Sequence, residues 1–210
     1  MWRVIGQERA VTMLQQSLEK GNMAHAYLFT GPRCVGKTTL ALELAKALNC
    51  EADEPPCGEC GSCRKIDRRQ HADVQVIGLN SDNDANEEKQ QTEISIERIR
   101  RLQHSASLPP FEGRCRVFII DGAEFLSIEA ANCLLKTLEE PEEKVVFVML
   151  TAKRSFIPET VISRCQWLKL APVSAWEIEK ELNERWGVEP QKARLLARLC
   201  RGCIGWAISA

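Results

Sequence analysis

Three groups of residues in this chain have types and spacings suited to chemistry. The first is Gly31-Pro32-Arg33-Cys34-Val35-Gly36-Lys37-Thr38, followed by Thr39. Glycines bound a loop whose backbone N–H groups can cradle the β- and γ-phosphates of ATP, or the β-phosphate of ADP. Lys37 adds a full positive charge, and the Thr38 hydroxyl is of the type that ligates Mg²⁺. Cys34 stands where such loops often carry another glycine, so a positive φ there would strain the chain. The competing reading is a loop that keeps this shape and binds nothing. The second group centres on Asp121, which ends the apolar run Val117-Phe118-Ile119-Ile120. A carboxylate so placed beside a phosphate loop holds Mg²⁺, directly or through water. Otherwise it is a turn residue at a strand end. The usual NTPase pattern continues with Glu, which orients the attacking water, but here that position is Gly122. Glu124 has a different spacing and is expected to point elsewhere. The third group is Cys50-x6-Cys57-x2-Cys60-x2-Cys63, with Gly58 and Gly61 between the last three cysteines. Overlapping CxxC steps and a fourth thiol can wrap a tetrahedral ion, and Zn²⁺ is the usual occupant of a closed thiolate site. Such a site has no open position and is structural. A redox CxxC pair or an iron–sulfur cluster fits the pattern less well. The other cysteines (34, 115, 133, 165, 200 and 203) read mostly as small apolar core residues.

These groups need elements to hold them. The apolar run Ala26–Phe29 before the loop and the helical pattern of Leu40, Leu44, Ala47 and Leu48 after it give strand, loop and helix. Residues 7–19 read as an amphipathic helix with Ala10, Val11, Leu14 and Leu18 on one face. Asp73 to Leu79 reads as a strand entering a polar, mobile loop. Ile94, Ile96, Ile99 and Leu102 suggest a short helix ending before Pro109-Pro110. Ser127 is placed to cap a helix over Ile128–Leu138, stopped by Glu139-Glu140-Pro141. Val145–Leu150 is a fully apolar strand ending at Thr151, suited to a sheet covered on both faces. Beyond Ala171-Pro172 the texture is helical only, with a capping box at Ser174-x-x-Glu177 and stops at Gly187 and Gly202. This alternation predicts an α/β fold with a parallel sheet flanked by helices and a boundary near Leu170.

Composition sets outer bounds. The chain has 210 residues, is 44% hydrophobic and 27% charged, and carries a net charge of −1. That is enough for one domain and part of another, and it gives no overall bias toward nucleic acid. No apolar run reaches the ~18 residues of a membrane span. The N-terminus lacks the apolar stretch of a secretory signal, so a cytoplasmic location is expected. The charge carried by residues 82–97 is mostly acidic, whereas Arg98, Arg100, Arg101, Arg114 and Arg116 form a basic stretch. Both are read first as solvated faces.

Together the motifs resemble the clamp-loader AAA+ proteins of bacterial DNA polymerase III, closest to the delta-prime type and related to gamma/tau. The resemblance rests on Ile5-Gly6-Gln7-Glu8, on His25 to Pro32 and on the four-cysteine insertion within 50–80. It extends through Leu134-Leu135-Lys136-Thr137-Leu138-Glu139-Glu140-Pro141 to Ser163-Arg164-Cys165. It implies a P-loop AAA+ domain over 1–170 and the start of a small helical lid over 171–210, with the family's collar domain absent. It implies that Val4 and Ile5 cover the adenine, that Thr151 senses the γ-phosphate, and that Arg164 is a finger for a neighbouring subunit's ATP site. Partners would be gamma/tau and delta subunits, and through the complex a sliding clamp and primer–template DNA, which Arg98, Arg100 and Arg101 would help to contact. Gly122, and Trp206 where a second sensor usually has arginine, imply weak or no hydrolysis. The alternatives are an active gamma/tau-type motor and a P-loop small-molecule kinase.

Overall fold

The computed structural model describes residues 2–79 and 92–210. Five parallel strands form one sheet: β1 (Ala26–Thr30), β2 (Val74–Ile77), β3 (Arg116–Asp121), β4 (Val145–Thr151) and β5 (Gln166–Lys169). Their order is β2-β3-β4-β1-β5. Helices α1 (Glu8–Glu19), α2 (Lys37–Asn49) and α3 (Gly61–Asp67) precede β2, and α4 (Ile96–Ala106) follows it. Next come α5 (Ile128–Glu139) and the single turn α6 (Glu159–Ile162), and then α7 (Ala175–Trp186), α8 (Pro190–Leu199) and α9 (Ile204–Ser209).

Strand alternation divides the core in two. Tyr27, Phe29, Val117, Ile119, Val146 and Val148 pack on one face with Leu40, Leu44 and Leu14. Leu28, Phe118, Ile120, Phe147 and Met149 pack on the other with Ile99, Leu102, Leu134 and Leu138. Period-two side chains on strands buried on both faces produce this split, and it explains the continuous apolar runs of β1 and β4. The core changes owner between Leu170, which belongs to the sheet, and Val173, which joins a separate cluster of Ile178, Leu182, Ala193 and Leu196 on α7 and α8.

Several expected ends are in place. Ser127 Oγ accepts from Ala130 N at 3.1 Å. Gly187 terminates α7 with φ +64°, where only glycine turns without strain. Ser174 Oγ accepts from Glu177 N at 3.2 Å, but Glu177 turns away from the reciprocal bond and accepts from Gly6 N instead.

Other expectations need correction. Ile94 is not helical; it bridges to Leu126, and extended Ser95 starts α4 two residues later than the apolar spacing suggests. The strand expected from Asp73 begins at Val74, because the Asp73 carboxylate accepts backbone N–H groups from Phe111, Glu112 and Gly113 at 2.7–2.8 Å. Strand β5 was not foreseen; it is a four-residue edge strand with Trp167 46% exposed, too short and too polar for an alternation signal. The polar loop expected after β2 falls on 80–91, outside the described residues.

Candidate nucleotide site and four-cysteine knuckle

The phosphate-type loop leaves the C-terminal end of β1, between β4 and β5. Connections run to opposite sides of β1 there, which opens a crevice beyond the strand ends. Gly31 N donates to Thr151 O at 3.2 Å, so the loop is tied to β4. Gly36 has φ +104° and Cys34 φ +60°. The strain expected at Cys34 is therefore present, in an exposed side chain. Lys37 is 8% exposed, and its Nζ donates to Gly31 O at 2.9 Å and Pro32 O at 2.7 Å. Burial pulls the Lys37 pKa down, while Asp121 and Glu124 pull it back up. Thr38 Oγ1 donates to Asp121 Oδ2 at 2.9 Å. A hydroxyl and a carboxylate so joined can open around a divalent cation and each supply an oxygen.

The cleft in front of these groups measures about 1030 Å³. Arg33, Cys34, Gly36, Lys37, Thr38 and Thr39 line it, together with Asp121 and Thr151. Val35 does not: its side chain is wholly buried in the core, leaving only its backbone available to a ligand. Gly31 and Pro32 serve through the carbonyls that hold Lys37. Val4 lies against the loop, 3.9 Å from where a Cβ on Gly36 would stand, whereas Ile5 packs on the helical cluster. Thr151 is buried, and its Oγ1 accepts from Lys153 N at 3.0 Å.

Glu124 overturns its expectation. The left-handed turn at Gly122, φ +82°, starts a short 3-10 turn over Ala123–Phe125 that swings Glu124 back into the cleft. Its Oε1 accepts from Ala152 N at 3.3 Å, and Oε2 is buried with no partner among the described residues. Nothing in residue spacing signals such a turn. Gly205 was also missed: its N–H donates to Cys34 O at 2.8 Å and brings α9 onto the loop. Trp206 stays 45% exposed and does not line the cleft. Arg164 stands apart from its own chain's cleft, bonded to Glu139 Oε1 at 2.5 Å and Thr160 O at 2.7 Å. Arg98 turns inward, 7% exposed, and donates to Gly78 O at 2.6 Å, so it is not offered to a DNA phosphate.

The four cysteines converge. All four Sγ atoms lie within 4.8 Å of one another, with Cys57 and Cys63 at 3.9 Å. Four sulfurs about 2.3 Å from a central ion would be spaced by about 3.8 Å, so the cage fits Zn²⁺ after a small contraction. Backbone N–H groups of Glu59 and Cys60 point at Cys57 Sγ and lower its thiol pKa to about 6. Cys63 N likewise donates to Cys60 Sγ. Such donors favour the thiolate form that binds metal. Of the remaining cysteines, Cys115 and Cys200 are buried as expected, while Cys133, Cys165 and Cys203 are half-buried.

Residues 6–174 match the sequence model of the family described as "DNA polymerase III, delta subunit". The tau subunit of Escherichia coli DNA polymerase III is 37% identical over 98% of this chain and 31% of its own length. The delta′ subunit of Bacillus subtilis is 36% identical over 92% of this chain and 56% of its own. The chain belongs to the DNA polymerase III clamp-loader family. It spans from about a third to just over half of these relatives. The clamp-loader kinship leaves the small-molecule kinase without support. Among solved structures, a gamma subunit-related protein of Thermotoga maritima has a TM-score of 0.58 at 20% identity, covering 90% of this chain and 58% of that one. The RuvB branch migration motor of the same organism has a TM-score of 0.60 at 17% identity, covering 98% of this chain and 60% of that one. Both likenesses concern the fold.

Proposed function

We propose that this chain is the nucleotide-binding module of a delta-prime-type clamp-loader subunit, with an AAA+ domain over 1–170 and a helical lid over 171–210. It binds ATP or ADP with Mg²⁺, hydrolyses ATP weakly or not at all, and carries a structural Zn²⁺ site. Its partners on this reading are gamma/tau and delta subunits, and through the assembly a sliding clamp and primer–template DNA in the cytoplasm. The observation that carries the reading is a complete phosphate cradle beside a side-chain gap: Lys37, Thr38 and Asp121 share one cleft with Gly122.

The residues would act as follows. Loop N–H groups and the start of α2 bind phosphate oxygens, and Lys37 leaves its carbonyl tethers to join them. Thr38 and Asp121 hold the metal, which when bound neutralises phosphate charge. Thr151, which lines the cleft at the end of β4, would sense the γ-phosphate. Gly122 places no carboxylate to orient water. Arg164 would act in trans, stabilising charge on a neighbour's transferred phosphoryl group. Its bond to Glu139 holds the guanidinium ready at the surface.

A second reading, an active gamma/tau-type motor, is favoured by Glu124, whose Oε2 has no partner among the described residues and whose side chain belongs to the same cleft. Calorimetry and a turnover assay on the same preparation separate the two. The delta-prime reading expects MgATP binding, abolished by Lys37→Ala, with negligible phosphate release. Turnover that disappears in Glu124→Gln would establish the motor. No binding by the wild-type chain would show a loop that has lost its ligand.

A further inference from the structure

Residues 2–7 form a strap that touches three parts of the molecule. Trp2 packs on the sheet core, Val4 beside Gly36, and Ile5 on the helical cluster. Gln7 fastens the far end: its amide donates to Ala171 O at 2.7 Å and accepts from Ala171 N at 3.2 Å. Arg3 fastens the near end on the knuckle. Its guanidinium lies so close over Gly58 that a Cβ there would stand 2.7 Å from Nη2. Nη1 is 3.7 Å from Asp67 Oδ2 at the end of α3. The other Asp67 oxygen binds Lys46 Nζ at 2.9 Å, and Lys46 is 1% exposed on α2, the helix that starts at Lys37. One path of contacts thus joins the four-cysteine knuckle to the strap and to the helix of the phosphate loop.

We propose that Arg3 is a positioning residue through which the metal-loaded knuckle holds the strap against the nucleotide site, so that Zn²⁺ occupancy sets nucleotide affinity. This rests on the nucleotide-binding reading above. Four thiolates around one divalent ion keep a surplus of negative charge, and a guanidinium packed over the knuckle backbone answers it. Without the ion, Cys57 to Cys63 lose the bond that fixes Gly58 beneath Arg3. The remaining Arg3–Asp67 pair is too exposed, 53% and 38% at the side chains, to hold the strap alone. Ordering the strap then has to accompany nucleotide binding, which weakens it.

The test uses the 210-residue chain with its zinc content measured. Calorimetry with MgADP is run on wild type and Arg3→Ala, each with Zn²⁺ bound and after chelation. Amide exchange of the strap is followed in all four samples without nucleotide. Arg3→Ala with full zinc should bind about two- to fivefold more weakly, the scale of one partly exposed charged contact. Chelation should weaken wild type comparably and add nothing in Arg3→Ala. Strap protection should fall in the same three samples, and Arg3→Lys should recover part of both signals. The proposal is overturned if zinc-loaded Arg3→Ala matches wild type, or if chelation weakens both proteins by the same factor. If wild type fails to bind nucleotide yet strap protection follows zinc and Arg3, the nucleotide reading falls and the mechanical coupling stands.

Discussion

Single residues decide how ready the cleft is. Cys34 holds φ +60° with an exposed side chain, a conformation that costs a residue with a Cβ about 1–2 kcal/mol. Cys34→Gly should raise the free energy of unfolding by up to about 1 kcal/mol in urea titrations, part of the gain being offset by glycine's greater freedom when unfolded. An unchanged or lower stability would mean that the loop is not strained there. Arg164 is held by Glu139 and Thr160 rather than by the site of its own chain. In a reconstituted clamp-loader assembly that contains this subunit, Arg164→Ala should lower the ATPase rate, since a finger at a favourable site contributes about 10³–10⁵ in rate. Full activity in that assembly would reduce Arg164 to a surface ion pair.

At the scale of elements, the buried Asp73 ties the start of β2 to the loop entering β3. Burial alone would raise its pKa, but three backbone donors and Arg116 overcome this and hold it below the usual carboxylate range. A carboxyl depressed in the folded state stabilises above its unfolded pKa, and that contribution is lost as pH falls through the folded value. Wild-type stability should therefore decline below about pH 4, and Asp73→Asn should flatten that decline. At neutral pH the variant should lose about 1.5–3 kcal/mol, the scale of hydrogen bonds to a charged group. Identical acid profiles for the two proteins would remove Asp73 from the account. The knuckle is a separate element: α3 packs on α2, and the ion pair of Lys46 with Glu43 and Asp67 is its buried link. Cys60→Ser should abolish zinc retention while the far-ultraviolet signature of the sheet and its helices persists.

At the scale of the molecule, the candidate nucleotide site lies where sheet, strap and helical cluster meet. Gly205 N donates to Cys34 O, which ties α9 to the loop, and the Gln7 side-chain amide brackets Ala171, which ties the chain after Leu170 to the strap. A ligand that binds only this assembled form stabilises it by about 2.7 kcal/mol at a hundredfold excess over its Kd. Saturating MgADP should raise the melting temperature of the wild-type chain and leave Lys37→Ala unmoved. A rise of equal size in both would place the ligand outside the loop.

Residue order alone determined the local pieces. Glycine spacing and a following Lys-Thr announce the loop, four cysteines at short intervals announce a metal knuckle, and continuous apolar runs announce strands covered on both faces. Each is legible because its physics is contained within one short stretch of consecutive residues, the longest being the fourteen from Cys50 to Cys63. The tertiary structure decided what depends on distant chain. It placed Thr38 against Asp121, 83 residues apart, and Gly205 against Cys34. It added β5, whose place in the sheet comes from pairing with β1 rather than from its own alternation. It turned Glu124 into the cleft, because a left-handed glycine redirects the chain by an angle that residue spacing does not encode. It buried Arg98 against Gly78 O, although a run of arginines reads as a solvated face. Side-chain direction at such positions follows from backbone turns and from neighbours supplied by other elements, and neither is present in a linear pattern.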